Sequence, residues 1–308
     1  MCLKKIFNRT HCRSLPILAA FILAWTFVTA VWAQESLDSH SNKNFLWSVE
    51  TGSKTVYLLG SLHLTRSDAW PLAQEIESAY NDSKKVVFEA DVGGMNGPAA
   101  QAKVMTLGLY PEGQTLEQNI SGETYRLLQK KATALGLPMV YLARFKPWLC
   151  ALTLTAMEFQ RLGFDLQHGI DDYFLKKAKA DRKETIFLET VEHQLNLFAQ
   201  LDVCEQESFL GQTLKDLEVM ETLASDMVAA WKTGNVDKLS SIITISFQEY
   251  PDIYDRVFVQ RNKEWAAEID HFTKQNGNVL VIVGAGHLVG TEGLVELLKK
   301  KGYTVKQR

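Results

Sequence analysis

The sequence predicts a single α/β domain, built on a central mixed β-sheet with helices around it. Five consecutive apolar residues, 279–283, end at Gly284, which is typical of a strand buried on both faces. A second run of the same kind, residues 55–59, ends at Gly60. A strand, a helix and another strand follow one another from residue 55 to residue 91. That order predicts a βαβ unit with parallel strands.

The remaining elements are placed by apolar periodicity and by helix-capping residues. Helices are predicted to begin near Pro71, Ser121, Pro147 and Gly169, and a strand that ends on a carboxylate is predicted at residues 184–189. Helical periodicity continues with breaks from residue 191 to 274. A last helix at 290–301 and a closing strand at 303–305 complete the chain. Because no repeat or linker divides residues 45–308, we expect one domain with a helical insertion.

Residues 1–33 have the pattern of a secretory signal peptide. Basic residues precede an uncharged segment from Ser14 to Gln34, and Val31-Trp32-Ala33 fits a small-residue cleavage rule. Cleavage after Ala33 would release a secreted or periplasmic protein with no stable membrane insertion. The alternative is an uncleaved membrane anchor, since an uncharged run of this length could span a bilayer. Residues 34–44 are polar and predict a flexible lead-in.

The composition argues against two classes of protein. The net charge is -3 and no stripe of Lys and Arg crosses the domain, so no nucleic-acid partner is expected. Only Cys150 and Cys204 lie in the mature chain, too few for a disulfide framework. Both fall in apolar helical patterns, which favour two buried thiols over a bond between them.

Two copies of a strand-Gly-x-x-His element are the central functional signal. His63 comes three residues after Gly60, and His287 comes three residues after Gly284. The carboxyl ends of buried strands are common ligand sites in α/β sheets. If the two strands are neighbours in the sheet, the two imidazoles meet at one edge.

Two strand-end carboxylates complete a candidate metal site. Two His and one carboxylate form a recurring ligand set for divalent transition metals, and Glu89 would join His63 and His287 in it. Glu189 is a further candidate as ligand, as partner of a ligand or as general base. A metal so held would acidify a bound water and polarise a carbonyl, which suits hydrolysis. The structural alternatives are that each His is merely structural and that Glu189 stabilises the N-terminus of the next helix.

Three other motifs are absent from the sequence. Gly284-Ala285-Gly286 lacks the third glycine of a dinucleotide-binding fingerprint, because Gly290 comes one residue late. No H-E-x-x-H helix and no complete G-x-S-x-G elbow is present, so neither a zincin nor a serine hydrolase is supported.

The sequence resembles the TraB/GumN family, which includes the TIKI proteases and is related more distantly to erythromycin esterases and ChaN-like proteins. The resemblance covers nearly the whole mature chain. Its elements are Leu46-Trp47, 56–63, Trp70-Pro71-Leu72, 86–91, Gly169-Ile170-Asp171, Leu188-Glu189-Thr190 with Gln194, 261–265, and 283–288 with Gly290 and Gly293-Leu294.

This resemblance implies an α/β fold and, in its TIKI branch, metal-dependent proteolysis at two Gly-x-x-His motifs and a glutamate. The matching positions are His63, His287 and Glu89, with Gly60, Gly284 and Gly286 as the motif glycines around the cofactor. Manganese or cobalt is the implied metal, while the ligand set alone also suits zinc. On a helix Arg261 is most often a surface residue. We nevertheless predict that Arg261 is catalytic together with Glu89 and Glu189.

We therefore expect an extracytoplasmic metal-dependent hydrolase, more specifically a peptidase acting on a peptide or protein. The alternative is a non-catalytic protein that sequesters a peptide or a metal-bearing ligand in the same pocket.

Overall fold

A six-stranded mixed β-sheet lies at the centre of the computed structural model, which describes residues 43–308 apart from 53, 92–93, 95–96, 166–167 and 248–250. The strands are β1 (Leu46–Thr51), β2 (Lys54–Ser61), β3 (Lys85–Phe88), β4 (Glu184–Phe187), β5 (Val279–Gly284) and β6 (Val305–Gln307), in the order β4-β3-β5-β2-β1-β6. The predicted α/β fold with a central mixed sheet is confirmed. The predicted signal peptide, and the lead-in up to residue 42, lie outside the described residues.

The strands β4, β3, β5 and β2 are parallel, so their carboxyl ends meet at one edge of the sheet. Ser61 of β2 is paired with Gly284 of β5, and Phe88 of β3 is paired with Ile282 of β5. Residues 279–283 of β5 are all buried, as their unbroken apolar run predicted. Because β2, β3 and β5 end nearly in register, the residues that follow them emerge close together.

An antiparallel pair, β1 and β6, extends the sheet beyond β2. No strand is predicted at β1 from the sequence pattern, and the closing strand predicted at 303–305 begins two residues before β6. In β1 the four residues 46–49 are all buried, including Ser48, which accepts a hydrogen bond from Nε of Arg308. A strand buried on both faces lacks the polar alternation that marks a half-exposed strand.

Helices surround the sheet, and most of them lie in the insertions between β3 and β5. The α-helices are α1 (Gln74–Asp82), α2 (Pro98–Gly108), α3 (Leu116–Asn119), α4 (Gly122–Ala134), α5 (Met139–Leu142), α6 (Pro147–Arg161), α7 (Ile170–Ala180), α8 (Val191–Ala199), α9 (Val203–Asp216), α10 (Met220–Lys232), α11 (Val236–Phe247), α12 (Pro251–Tyr254), α13 (Gln260–Lys274) and α14 (Leu294–Lys300). A π-helical segment, Asp255–Val259, joins α12 to α13. Across the described residues, no helix combines the length and the apolar character that a membrane crossing needs.

Helix boundaries follow the capping signals, with two exceptions. The helix predicted to begin near Pro71 begins three residues later, at Gln74. Ser121 caps α4, since its hydroxyl accepts the backbone N–H of Thr124, and Pro147 is the first residue of α6. The last helix begins at Leu294, four residues later than predicted. Gly290, at φ +80°, keeps the chain in turns until that point. Cys150 is buried, Cys204 is half-buried, and the two are not joined by a disulfide.

Candidate active site

His63 follows β2 and is held by a carboxylate of α7. Its Nδ1 lies 2.8 Å from Oδ2 of Asp171, and Oδ1 of that carboxylate accepts a hydrogen bond of 2.6 Å from the hydroxyl of Ser61. Burial lowers the pKa of His63, but the charges of Asp171 and Glu89 outweigh burial and raise that pKa to about 9. Nδ1 therefore donates to Asp171, and Nε2 points toward Glu89, whose Oε2 is 3.9 Å away.

His287 follows β5, and an amide orients its ring. Nδ1 lies 2.6 Å from Oδ1 of Asn262, and Nδ2 of Asn262 donates to the backbone carbonyl of Glu292 at 2.8 Å. Because that second bond fixes the amide, Asn262 presents an acceptor and Nδ1 of His287 carries the proton. Burial and the charge of Arg261 lower the pKa of His287 to about 3, so the ring is neutral. Its Nε2 accepts a hydrogen bond of 3.1 Å from Nη1 of Arg261.

Glu89 comes directly after β3 and is buried among donors. Its Oε1 accepts hydrogen bonds from Nε2 of Gln194, at 2.9 Å, and from Nη2 of Arg261. Its Oε2 lies 3.2 Å from the backbone nitrogen of Gly284. Burial alone would raise the pKa of Glu89. The charges of Arg261 and His63 outweigh burial and hold that pKa well below its usual range, so the side chain is an anion.

Arg261 bridges both carboxylates and the second imidazole. Its Nε and Nη2 donate to the two oxygens of Glu189 at 3.0 and 2.6 Å, while Nη2 also contacts Glu89. Its Nη1 donates to the backbone carbonyl of Val257 at 2.7 Å and to His287. Only 5% of Arg261 is exposed. A buried guanidinium is thus neutralised by two buried carboxylates, and burial raises the pKa of Glu189.

The π-helical segment before α13 brings Arg261 to this position. The backbone N–H of Gln260 bonds the carbonyl of Asp255 five residues earlier, and the carbonyl of Val257 accepts the Arg261 side chain instead. The guanidinium lies 4.6 Å from the centre of the Trp265 ring, which covers it. Segments of π-helix occur frequently at functional sites because they change which side chains face inward.

Gly284 marks the point where the two imidazoles and the first carboxylate meet. A Cβ atom built on Gly284 would lie 3.5 Å from Nε2 of His63, 3.5 Å from Cδ2 of His287 and 3.6 Å from Oε2 of Glu89. The glycine therefore leaves a small space with three potential ligands around it. The side chains of His63, His287 and Glu89 thus lie around Gly284 at one edge of the sheet.

The model of the TraB/PrgY/gumN family matches residues 45–307. The chain belongs to the TraB/PrgY/gumN family. The family resemblance drawn from the motifs is thereby confirmed. The match begins one residue before β1 and ends at the last residue of β6, so it covers the whole sheet.

Named relatives of this TraB/PrgY/gumN chain include bacterial and animal proteins. The uncharacterized protein YbaP of Escherichia coli is 28% identical over 248 residues, which cover 80% of this chain and 89% of YbaP. Metalloprotease TIKI2 of Xenopus tropicalis is 23% identical over 328 residues, covering 89% of this chain and 60% of TIKI2. Metalloprotease TIKI1 of Danio rerio is 22% identical, with 85% of this chain and 63% of TIKI1 covered. No solved structure matches the chain.

The names of the TIKI relatives imply a metal, and imidazole and carboxylate are side-chain types that bind divalent metals. Both imidazoles give their Nδ1 proton to an oxygen acceptor, as metal-binding histidines do. The 3.9 Å between His63 Nε2 and Glu89 Oε2 would allow both atoms to reach one ion at about 2.0–2.2 Å. In the described part of the chain, however, no three His, Cys, Asp or Glu side chains form a ready metal cluster. Arg261 holds the Nε2 atom of His287 instead.

The other two motif glycines lie against packed side chains of the TraB/PrgY/gumN domain. A Cβ on Gly60 would come within 2.6 Å of a ring carbon of Phe45, and one on Gly286 within 2.9 Å of Phe258. Both positions need glycine for close packing behind the site. Of the three motif glycines, Gly284 is the one that borders the space between the ligands.

Three supporting residues had no role in the sequence analysis: Asp171, Gln194 and Asn262 were quoted only as parts of the family resemblance. Asp171 lies in the first turn of α7, where acidic residues are common for stability alone. Asn262 directly follows Arg261, and Gln194 lies in the first turns of α8. Nothing in their local sequence patterns indicates that Asp171 faces His63, that Gln194 faces Glu89 or that Asn262 faces His287.

Proposed function

We propose that this chain is an extracytoplasmic metal-dependent peptidase that hydrolyses a peptide or protein substrate. The observation that supports it is the convergence of His63, His287 and Glu89 around Gly284. The relatives named metalloproteases, at 21–23% identity, support the reaction class. The predicted signal peptide supports a place outside the cytoplasm.

His63, His287 and Glu89 are the residues that would hold the metal, for which manganese, cobalt and zinc are the candidates. When bound, the metal would supply a Lewis acid for the substrate carbonyl and an acidified water for the attack. A hydrogen bond at Nδ1 fixes the ring orientation of each histidine. Asp171 keeps the Nδ1 proton of His63 in place, and Asn262 does the same for His287.

Glu89 is the proposed proton acceptor as well as a ligand. Its Oε2 faces the same space as Nε2 of His63, and its pKa is held low, so it is a carboxylate at neutral pH. Glu189 has a different place, because both of its oxygens are bonded to Arg261. That geometry supports Glu189 as the residue that positions Arg261.

Substrate approach is proposed from the side of His63. The side chain of His63 is 20% exposed, whereas that of Glu89 is 8% exposed and His287 as a whole is 4% exposed. The proposed site is therefore open at one ligand and closed behind the other two. Exclusion of water behind the carboxylate strengthens the electrostatic interactions there.

Turnover by the purified mature chain tests the proposal. The chain from Gln34 onward would be stripped with a chelator and incubated with a mixed peptide library, separately with manganese, cobalt and zinc. Mass spectrometry would then identify cleaved peptides. We expect cleavage that depends on one of the metals and is lost in Glu89→Gln. Retention of peptides without any cleavage would favour the binding-protein alternative.

A further inference from the structure

Arg261 touches two of the three groups that the proposed site needs. Its Nη1 lies 3.1 Å from Nε2 of His287, and its Nη2 contacts Oε1 of Glu89. The amide of Asn262 leaves His287 only Nε2 as an acceptor. The lone pair that a metal would use is therefore already used by the guanidinium.

The positive charge of the guanidinium does for the buried carboxylates what the charge of a metal ion would do. Glu89 and Glu189 are both buried, and their carboxylates would repel each other without a cation between them. Arg261 is that cation in the metal-free chain. A divalent ion bound to Glu89 would supply the same neutralisation, and it would also repel the guanidinium.

The contacts of Arg261 fall into two groups that can separate. One group is the two-pronged pair with Glu189 and the Nη1 bond to the carbonyl of Val257. The other group is the contacts with His287 and Glu89. Losing the second group leaves three hydrogen bonds and one full ion pair, so the guanidinium can remain buried beside Trp265.

We propose that Arg261 competes with the metal for Nε2 of His287 and for Glu89, and that it releases both but keeps Glu189 when the metal binds. This inference rests on the proposed function, because it assumes that His287 and Glu89 are ligands. It gives the pair of Arg261 and Glu189 a definite task. The pair keeps Arg261 against His287 and Glu89, so that side of the site stays folded until a metal binds.

Metal affinity and metal-free stability should then change in opposite directions when the arginine is removed. In Arg261→Met the competitor for Nε2 of His287 is gone, and the two carboxylates lose the cation that is paired with both of them. We expect the metal-free variant to melt at a lower temperature than the parent. We also expect its dissociation constant for Mn²⁺, Co²⁺ or Zn²⁺ to fall at least about tenfold, with the metal restoring the melting temperature.

Two further variants make the experiment independent of one substitution. Lys263→Met removes a positive charge from the exposed face of the same helix, and it should bind metal as the parent does. Arg261→Lys keeps the charge but has no second prong for His287, so it should bind metal more tightly than the parent and less tightly than Arg261→Met. If Arg261→Met does not fold without metal, Arg261→Lys carries the comparison.

Calorimetric titration of the chelator-stripped chains, with the visible spectrum of bound Co²⁺ as a second readout, measures these affinities. Unchanged or weaker binding in both Arg261 variants would overturn the competition while leaving the metal site itself intact. Failure of the parent and of every variant to bind any of the three metals would overturn the proposed function and this inference together.

Discussion

Oδ2 of Asp171 lies 2.8 Å from Nδ1 of His63, which ties the first turn of α7 to the loop after β2. The other oxygen of Asp171 accepts the hydroxyl hydrogen of Ser61, so the carboxylate cannot turn without losing one of two bonds. A carboxylate behind a metal-binding imidazole fixes its tautomer and raises its basicity. The consequence is that the behaviour of His63 depends on a residue outside the proposed ligand set.

The variant Asp171→Asn should therefore impair the site without removing a ligand. Its Oδ1 would keep the bond to Ser61, so its amide nitrogen would face Nδ1 of His63 and donate to it. His63 would then carry its proton on Nε2, the atom proposed for the metal. We expect metal affinity and kcat/KM to fall about 10–100-fold, measured by titration and by peptide turnover.

Asp172→Asn is the matched control, because it removes the neighbouring carboxylate of the same helix turn. Asp172 pairs with Lys176 one turn along α7. That surface pair contributes little, so metal affinity and turnover should match the parent. Equal losses of metal affinity and turnover in the two variants would mean that both disturb α7 as a whole, and would contradict a specific role of the contact between Asp171 and His63.

Three substitutions distinguish the proposed role of the two histidines, which is to hold the metal, from the proposed role of Glu89 as proton acceptor. His63→Ala and His287→Ala each delete an imidazole, so bound metal and turnover should fall together. Glu89→Gln keeps the size of the side chain but loses its charge, and turnover should fall about 10²–10⁴-fold with some metal retained. Metal content is read by atomic spectroscopy on the same samples as turnover. Full metal and full turnover in either histidine variant would refute the assignment.

The parallel core of the sheet was predictable because its strands carry strong local signals. Val279 to Val283 are buried on both faces, and a run of that kind has few alternatives to a central strand. The two Gly-x-x-His elements gave the site for a related reason. Parallel neighbours end at the same edge, so the residues that follow β2 and β5 lie close together, although Gly60 pairs with Val283 and the two motifs are offset by one residue.

Arg261 and the supporting residues could not be placed by the same reasoning. Whether Arg261 faces solvent or the site depends on the π-helical segment before it, and the change of bonding register there has no simple sequence signature. Asp171 and Asn262 act through pairs that are 108 and 25 residues apart in the chain. Such pairings are fixed by tertiary packing, and a single sequence does not show them.

The leader prediction is checked on the exported protein. Cleavage after Ala33 should give a mature chain that starts at Gln34, because Val31-Trp32-Ala33 ends the uncharged segment and polar residues follow at once. N-terminal sequencing of the secreted or periplasmic form reads this directly. An intact Met1 on protein recovered from the membrane fraction would favour the anchor.

Asp216, at the end of α9, gives a prediction for stability against pH. Its Oδ1 accepts a hydrogen bond of 2.6 Å from Gln212, while its buried Oδ2 has no hydrogen-bond partner among the described residues. Burial raises the pKa of Asp216 to about 8, against the opposing effects of Gln212 and Lys215. The folded chain therefore holds a proton that the unfolded chain, with a carboxyl pKa of about 3.9, releases much earlier.

The sign of the effect follows from this difference in bound protons. Between about pH 4 and pH 8 the folded state binds more protons than the unfolded state, so Asp216 lowers the free energy of unfolding as the pH rises. The slope is at most about 1.4 kcal/mol per pH unit, and it vanishes above the folded pKa. Asp216→Asn cannot ionise, so it should match the parent only below about pH 4 and exceed it in stability by an increasing amount from pH 5 to pH 8.5.

Thermal or urea unfolding at pH 5.0, 6.5 and 8.5 measures the prediction, with Asp226→Asn as the control at an exposed carboxylate paired to Lys238. Other titrating groups, including His63, act equally on all three proteins. The difference between Asp216→Asn and the parent therefore isolates the contribution of Asp216. We expect that difference to grow with pH and the difference for Asp226→Asn to stay near zero. A pH-independent difference for Asp216→Asn would show that Asp216 is ionised in the folded chain throughout this range.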